Sequence, residues 1–404
     1  MKNGNFPSTS SRGVLYLAAA LSLSLAAFGA TAHRASERNR ASRVSQAQAD
    51  ESQSASGTIL VRSKFGGDIL GYDIDHNGTE GILSEGVTLS DGKFLVATET
   101  FEQKTGKIVK TVTKLNETFN DFVTIGVFGK GVGLVEEEHS KDGFVDSRTY
   151  STLNPVEANK FTGVWTPPLK KDEILESASG IPNTPTSVIL AFENGGNFNT
   201  IAFSSNVAAN TFGQRIRLKD PNFIFNHSPI AVMDGKKNQA MIATGGSDPF
   251  GPPTIGLIDL STKAFSEFQG LGIGQVNGVA IDPETGIACT ATSIDFSVEF
   301  YNVRKKEGLL IETLPGADNQ LESGGDVEFD PIHKLFFVEQ YTSNGNINDT
   351  QPRIYVYDEK GNLKETIGGL VRIPISPVNI ALNPNTRTGF ILDDTLTELR
   401  SFKY

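Results

Sequence analysis

From Gly57 onward, apolar residues come in short β-type runs, each broken by Gly, Asn, Asp or Pro. Four of these runs share one form: "SPIAVMDGKKNQAMIATGG", "VNGVAIDPETGIACTATS", "GGDVEFDPIHKLFFVEQY" and "SPVNIALNPNTRTGFILDD". In each, a β run meets Asp or Asn, turns through a few polar residues, and resumes as a second β run. The turn residues are Asp234, Asp282, Asp330 and Asn383, spaced 48, 48 and 53 residues apart. A second hairpin follows each of the first three, in "TIGLIDLSTKAFSEF", "SVEFYNVRKKEGLLIETL" and "RIYVYDEKGNLKETIGGL".

Four strands recurring at this period predict the blades of a β-propeller, because a lone four-stranded sheet cannot bury both faces and must stack on its neighbours. Looser units begin near Gly86, Asp121 and Thr184, giving an all-β fold of seven blades, with six or eight left open. The last unit ends at Tyr404 about one strand short. Either "GTILVRS" or "DILGYDID", at the start of the repeat region, can supply that strand. Pairing the N- and C-terminal strands closes the ring and leaves no open edge.

"DIDHNGTEGILS", residues 73–84, has the opening of a calcium loop, with Asp73, Asp75 and Asn77 at EF-hand spacing. Its twelfth position is Ser84 where such a loop needs a bidentate Glu. The stretch lines up with "RIYVYDEKGNLKETIGGL", which places it in the outer hairpin of a blade as a plain turn. A calcium loop is the alternative, and a faint resemblance to the ion loops of integrin-like propellers goes with it.

Ahead of the repeats lie two segments of different character. Lys2 and Arg12 precede an apolar run that ends in Ala30-Thr31-Ala32, the pattern of a secretory signal peptide over residues 1–32. An uncleaved anchor is the alternative reading. Residues 33–56 lack apolar periodicity and predict a disordered linker. The propeller domain is expected over 57–404, in an exported bacterial protein, secreted or periplasmic and monomeric, with no stable membrane insertion after signal cleavage.

Composition narrows the function. A formal charge of −11 argues against a nucleic-acid partner and against docking on anionic lipid. The only cysteine, Cys289, sits in an apolar run and is expected to be a buried, inert thiol. The five histidines show no zinc spacing, no G-x-S-x-G elbow occurs, and the glycine-rich "GLGIGQVNG" leads into β sequence instead of a helix. The loops 245–253, with Phe250, and 342–352 are long enough to carry recognition.

The phrase "VNGVAIDPETG" resembles the YncE-like, NHL-like and gluconolactonase-type (SMP-30-like) propellers, mainly over residues 226–404. That resemblance implies a site at the channel mouth, where inner strands begin: Asn277, Asp326, Asn379 and His227. In the gluconolactonase type, such oxygen side chains hold a divalent metal, so Asn277 and Asp326, with Glu328 further along the strand, become candidate ligands for Ca2+ or another divalent ion. The leading expectation is a binding or scaffold module for a protein, glycan or small ligand. A metal-dependent lactonase-like hydrolase is the alternative.

Overall fold

The repeated turn is the unit from which the architecture grows. In the computed structural model, Asp282 Oδ1 accepts from the Glu284 N–H at 2.8 Å, and the Asp282 N–H donates across the hairpin to the Ile287 carbonyl at 2.8 Å. Gly286 donates back to the Asp282 carbonyl with φ of +77°. Asp234, Asp330 and Asn383 accept in the same way from Lys236, Ile332 and Asn385. The residue four positions on is again left-handed, at Asn238, Lys334 and Arg387. A short side-chain acceptor thus fixes the turn, and the turn fixes the register of the strands that flank it.

The structure describes residues 58–404 except 117–119, 129–130, 142–143, 154–160, 171–172, 181–185, 194–199, 219–229, 245–250, 275, 293–296, 315–321, 343–353, 369–379 and 393–396. The described strands form seven antiparallel sheets, and the fold is a seven-bladed β-propeller. Blades one to six run in sequence over 68–116, 120–164, 173–218, 230–269, 276–313 and 322–367, each from its inner strand outward. Blade seven takes three strands from 380–403 and its outermost strand, Thr58–Arg62, from the other end of the chain.

The ring closure is therefore supplied by "TILVR", the first of the two expected segments. "DILGYDI", the second, is the innermost strand of blade one, which starts at Asp68 and not near Gly86. It follows that 73–84 lies in an inner hairpin, not an outer one. Its turn uses the same five-residue span, with the Asp75 N–H donating to Glu80 O at 3.0 Å and Asp75 Oδ1 accepting from Asn77. Blade three likewise begins one strand earlier than Thr184, at Glu173–Gly180.

Apolar clusters join each blade to the next around the whole circle. Ile82 and Val96 of blade one meet Val127, Val135 and Leu153 of blade two. At the closing seam, Leu83 and Phe101 of blade one share a cluster with Phe390 and Leu399 of blade seven and with Val61 of the closing strand. Cys289 is buried between blades five and six, and desolvation followed by the nearby Glu299 charge pushes its thiol well above the ordinary range.

A polar belt reinforces these clusters on the face that carries the inner-hairpin turns. Each turn acid or amide reaches a group from the following blade. Asp234 takes Arg304 at 3.3 Å, Asp282 takes Lys334 at 3.1 Å, and Asp330 takes the Tyr404 hydroxyl at 2.8 Å. Asn383 carries the belt across the closing seam by donating to Gln103 Oε1 at 2.7 Å and to Gly78 O at 3.1 Å in blade one. The residues that shape the turns thus also hold neighbouring blades in register.

Candidate functional site

The inner strands of blades six and one bring carboxylates together along the axis. Asp326 lies at a bulge in the inner strand Glu322–Asp330 of blade six. Its Oδ1 accepts from the Val327 N–H at 2.9 Å, and its Oδ2 accepts from the Ile380 N–H of blade seven at 2.8 Å. Asp73, on the inner strand of blade one, repeats this arrangement with the Ile74 N–H at 2.7 Å and the Val127 N–H of blade two. Both side chains tie one inner strand to the next while staying partly open to the axis.

Glu328 stands two residues beyond Asp326 on the same strand, on the same side, and its carboxyl forms no hydrogen bond among the described residues. Desolvation pushes its carboxyl well above the ordinary range, and the Asp326 and Asp73 charges push it further. Asp326 is raised to about 6, by desolvation first, with the Ile380 and Val327 N–H groups opposing the rise and Asp73 adding to it. Desolvation also raises Asp73, against the lowering effect of His76, whose Nε2 lies 3.7 Å from its Oδ1. Beneath them, Tyr72 donates to Phe390 O at 2.9 Å and feels the negative field of Asp326, Asp73, Glu339 and Glu328. The axis between blades six and one is therefore strongly electronegative.

The sequence-derived candidates separate into distinct surroundings. Asn277 donates to Gly324 O at 2.7 Å, joining the inner strands of blades five and six. Gly278 makes this approach feasible, since a Cβ there would sit 2.5 Å from both Gly325 O and Val327 N. Asp326 faces the other way, toward blade seven. His227, Asn379 and Phe250 lie outside the described residues, as does most of each long loop. The three oxygens of the calcium-loop alternative turn to different partners: Asp73 to Val127, Asp75 to Asn77, and Asn77 Oδ1 to the Asn385 amide at 2.8 Å. Among the described residues, no three His, Cys, Asp or Glu side chains are grouped so that they could hold a metal ion.

Asp73 entered the sequence reading only as part of that turn, and its place on the axis depends on blade one starting a strand earlier. Glu328 was legible only as a residue further along the strand of Asp326; the structure, with its period of two, puts both on one side.

The raised Asp326 carboxyl makes a stability prediction. Its folded-state pKa lies above the unfolded value, so its contribution is complete below about pH 4 and lost as pH rises through about 6. Urea unfolding at pH 4 and pH 7 should show wild type losing about 1–2 kcal/mol more than Asp326→Asn over that interval, after allowance for screening in the open channel. Equal pH dependence of the two proteins would remove Asp326 from the electronegative group.

No protein-family model and no curated protein matches this sequence.

Proposed function

We propose that the protein is an exported binding module whose propeller axis receives an organic cation, an ammonium or guanidinium group of a small molecule. The observation that carries this reading is Glu328, a carboxyl on the axis with no hydrogen-bond partner among the described residues, close enough to Asp326 and Asp73 for their charges to raise its pKa. A cation arriving there relieves the repulsion among all three groups. These acids do not group as a metal site does, so a ligand with its charge spread over a larger volume suits them better than a bare ion. The gluconolactonase-type alternative gains no support from the geometry, since Asn277 and Asp326 are each engaged in joining inner strands in opposite directions.

The test is calorimetric titration with spermidine and with agmatine. Binding should strengthen as pH rises from 5 to 8, because the ligand favours the ionised carboxylates, and Glu328→Gln should weaken it at least tenfold. Equal affinity in wild type and Glu328→Gln, or no heat with either probe, would refute the assignment.

A further inference from the structure

A second pair of acids lies away from the axis, inside the seam where the ring closes. Glu85 on the strand Glu80–Thr88 and Glu99 on the strand Phe94–Glu102 are 1% and 0% exposed. The register pairs Glu85 with Ala97 and Leu83 with Glu99, so the two carboxylates are diagonal neighbours on one face of blade one. That face is the one bearing Leu83 and Phe101, which pack on blade seven. Desolvation raises the Glu99 carboxyl, and Glu85 adds to the rise.

Hydroxyls and one amine surround the pair. Ser63, just after the closing strand, donates to Glu85 Oε2. Thr111 donates to Glu99 Oε1 at 3.0 Å. Lys64 reaches Thr111 Oγ1 at 3.1 Å and lies 3.9 Å from Glu99 Oε1, with its side chain half exposed. Glu85 Oε1 is fully buried and has no hydrogen-bond partner among the described residues. A buried carboxylate oxygen without a donor is costly unless something positive satisfies it. The half-exposed Lys64 offers one charge against two carboxylates.

We propose that Glu85 and Glu99, with the Ser63 and Thr111 hydroxyls, form a site for a hard divalent cation, Ca2+ in first place. All four side chains present oxygen, the ligand type such ions take, and two carboxylates with two hydroxyls leave room for water to complete the shell. Ser63 belongs to the segment that leads from the closing strand into blade one, and Glu85 and Glu99 belong to blade one itself. A cation held among them clamps the two ends of the ring together. This site is independent of the channel reading above.

The experiment uses the full chain, freed of metal with EDTA and then followed by equilibrium dialysis with radioactive Ca2+ and by thermal unfolding. We expect one Ca2+ per chain and a rise in Tm of roughly 3–6 °C at a hundredfold excess over Kd. Glu85→Gln should weaken binding at least tenfold, Ser63→Ala severalfold, and Glu328→Gln not at all. Mg2+, which demands tighter octahedral geometry, should compete only at higher concentration. Absence of Ca2+ and Mg2+ binding to wild type at millimolar concentration overturns the site. So does retention of full affinity by folded Glu85→Gln, or by Ser63→Ala should the first variant fail to fold.

Discussion

A chain beginning at Ser63 should unfold at far lower urea concentration than one beginning at Gly57, because the first lacks the strand that closes the ring. Thr58–Arg62 pairs with Glu398–Ser401 and forms the outer edge of blade seven. Its Val61 is 3% exposed and belongs to the cluster that joins blades six, seven and one. Losing that side chain from the core costs about 1.5–3 kcal/mol. The ladder hydrogen bonds add about 1 kcal/mol each. A combined loss of roughly 3–6 kcal/mol is expected, large against the 5–15 kcal/mol that separates most folded proteins from their unfolded chains. The Arg62–Glu398 contact adds little, since the arginine is well exposed. Removing residues 1–62 also bares the edge of the strand Glu398–Lys403, so the shortened protein should associate in size-exclusion chromatography. Equal unfolding midpoints for the two chains would show that the ring holds without its closing strand.

The extent to which this architecture was legible depended on where polar residues carry a local job. Asp234, Asp282, Asp330 and Asn383 act within their own turn, through hydrogen bonds two or three residues away, so their spacing announced blades four to seven directly. Blade three is harder to read because the sequence between its first two strands, Glu173–Gly180 and Thr186–Glu193, is "IPNTP", without an Asp or Asn followed at once by Pro or Gly. Blade one uses the same turn at Asp75, but without the Pro or Gly immediately after it that marked the others. That difference moved the whole segment one strand outward and concealed Asp73.

Contacts between blades are less legible still. The strand Glu80–Thr88 is buried on both sides, so it shows no alternation that says which face meets which neighbour. Ile82 faces blade two and Leu83 faces blade seven. Only that assignment shows that Glu85 and Glu99 look into the closing seam. The belt pairs Asp282 with Lys334 and Asp330 with Tyr404 pose the same difficulty, since their partners lie 52 and 74 residues away. Alternation reports which residues share a side, whereas these functions depend on what the other side touches.

Trp165→Ala should strongly destabilise the first half of the ring, because this one side chain joins blades two and three. Trp165 follows the outer strand Phe161–Val164 of blade two and is 1% exposed. It meets Tyr150 edge-on with ring centroids 5.3 Å apart, and Phe212 of blade three at 5.5 Å. Its Nε1 donates to Ser205 Oγ of blade three at 3.2 Å. One side chain therefore joins the two blades by both apolar and polar contact. Truncation to Ala should cost about 3–5 kcal/mol, the range for large aromatic deletions from a packed core. Trp165→Phe keeps most of the ring contact and loses the Ser205 bond, so it should cost about 1–2 kcal/mol. Unfolding followed by circular dichroism compares all three proteins, since Trp165 is the chain's single tryptophan and its fluorescence is lost in both variants. A Trp165→Ala penalty below that of Trp165→Phe would mean that blades two and three are held together elsewhere.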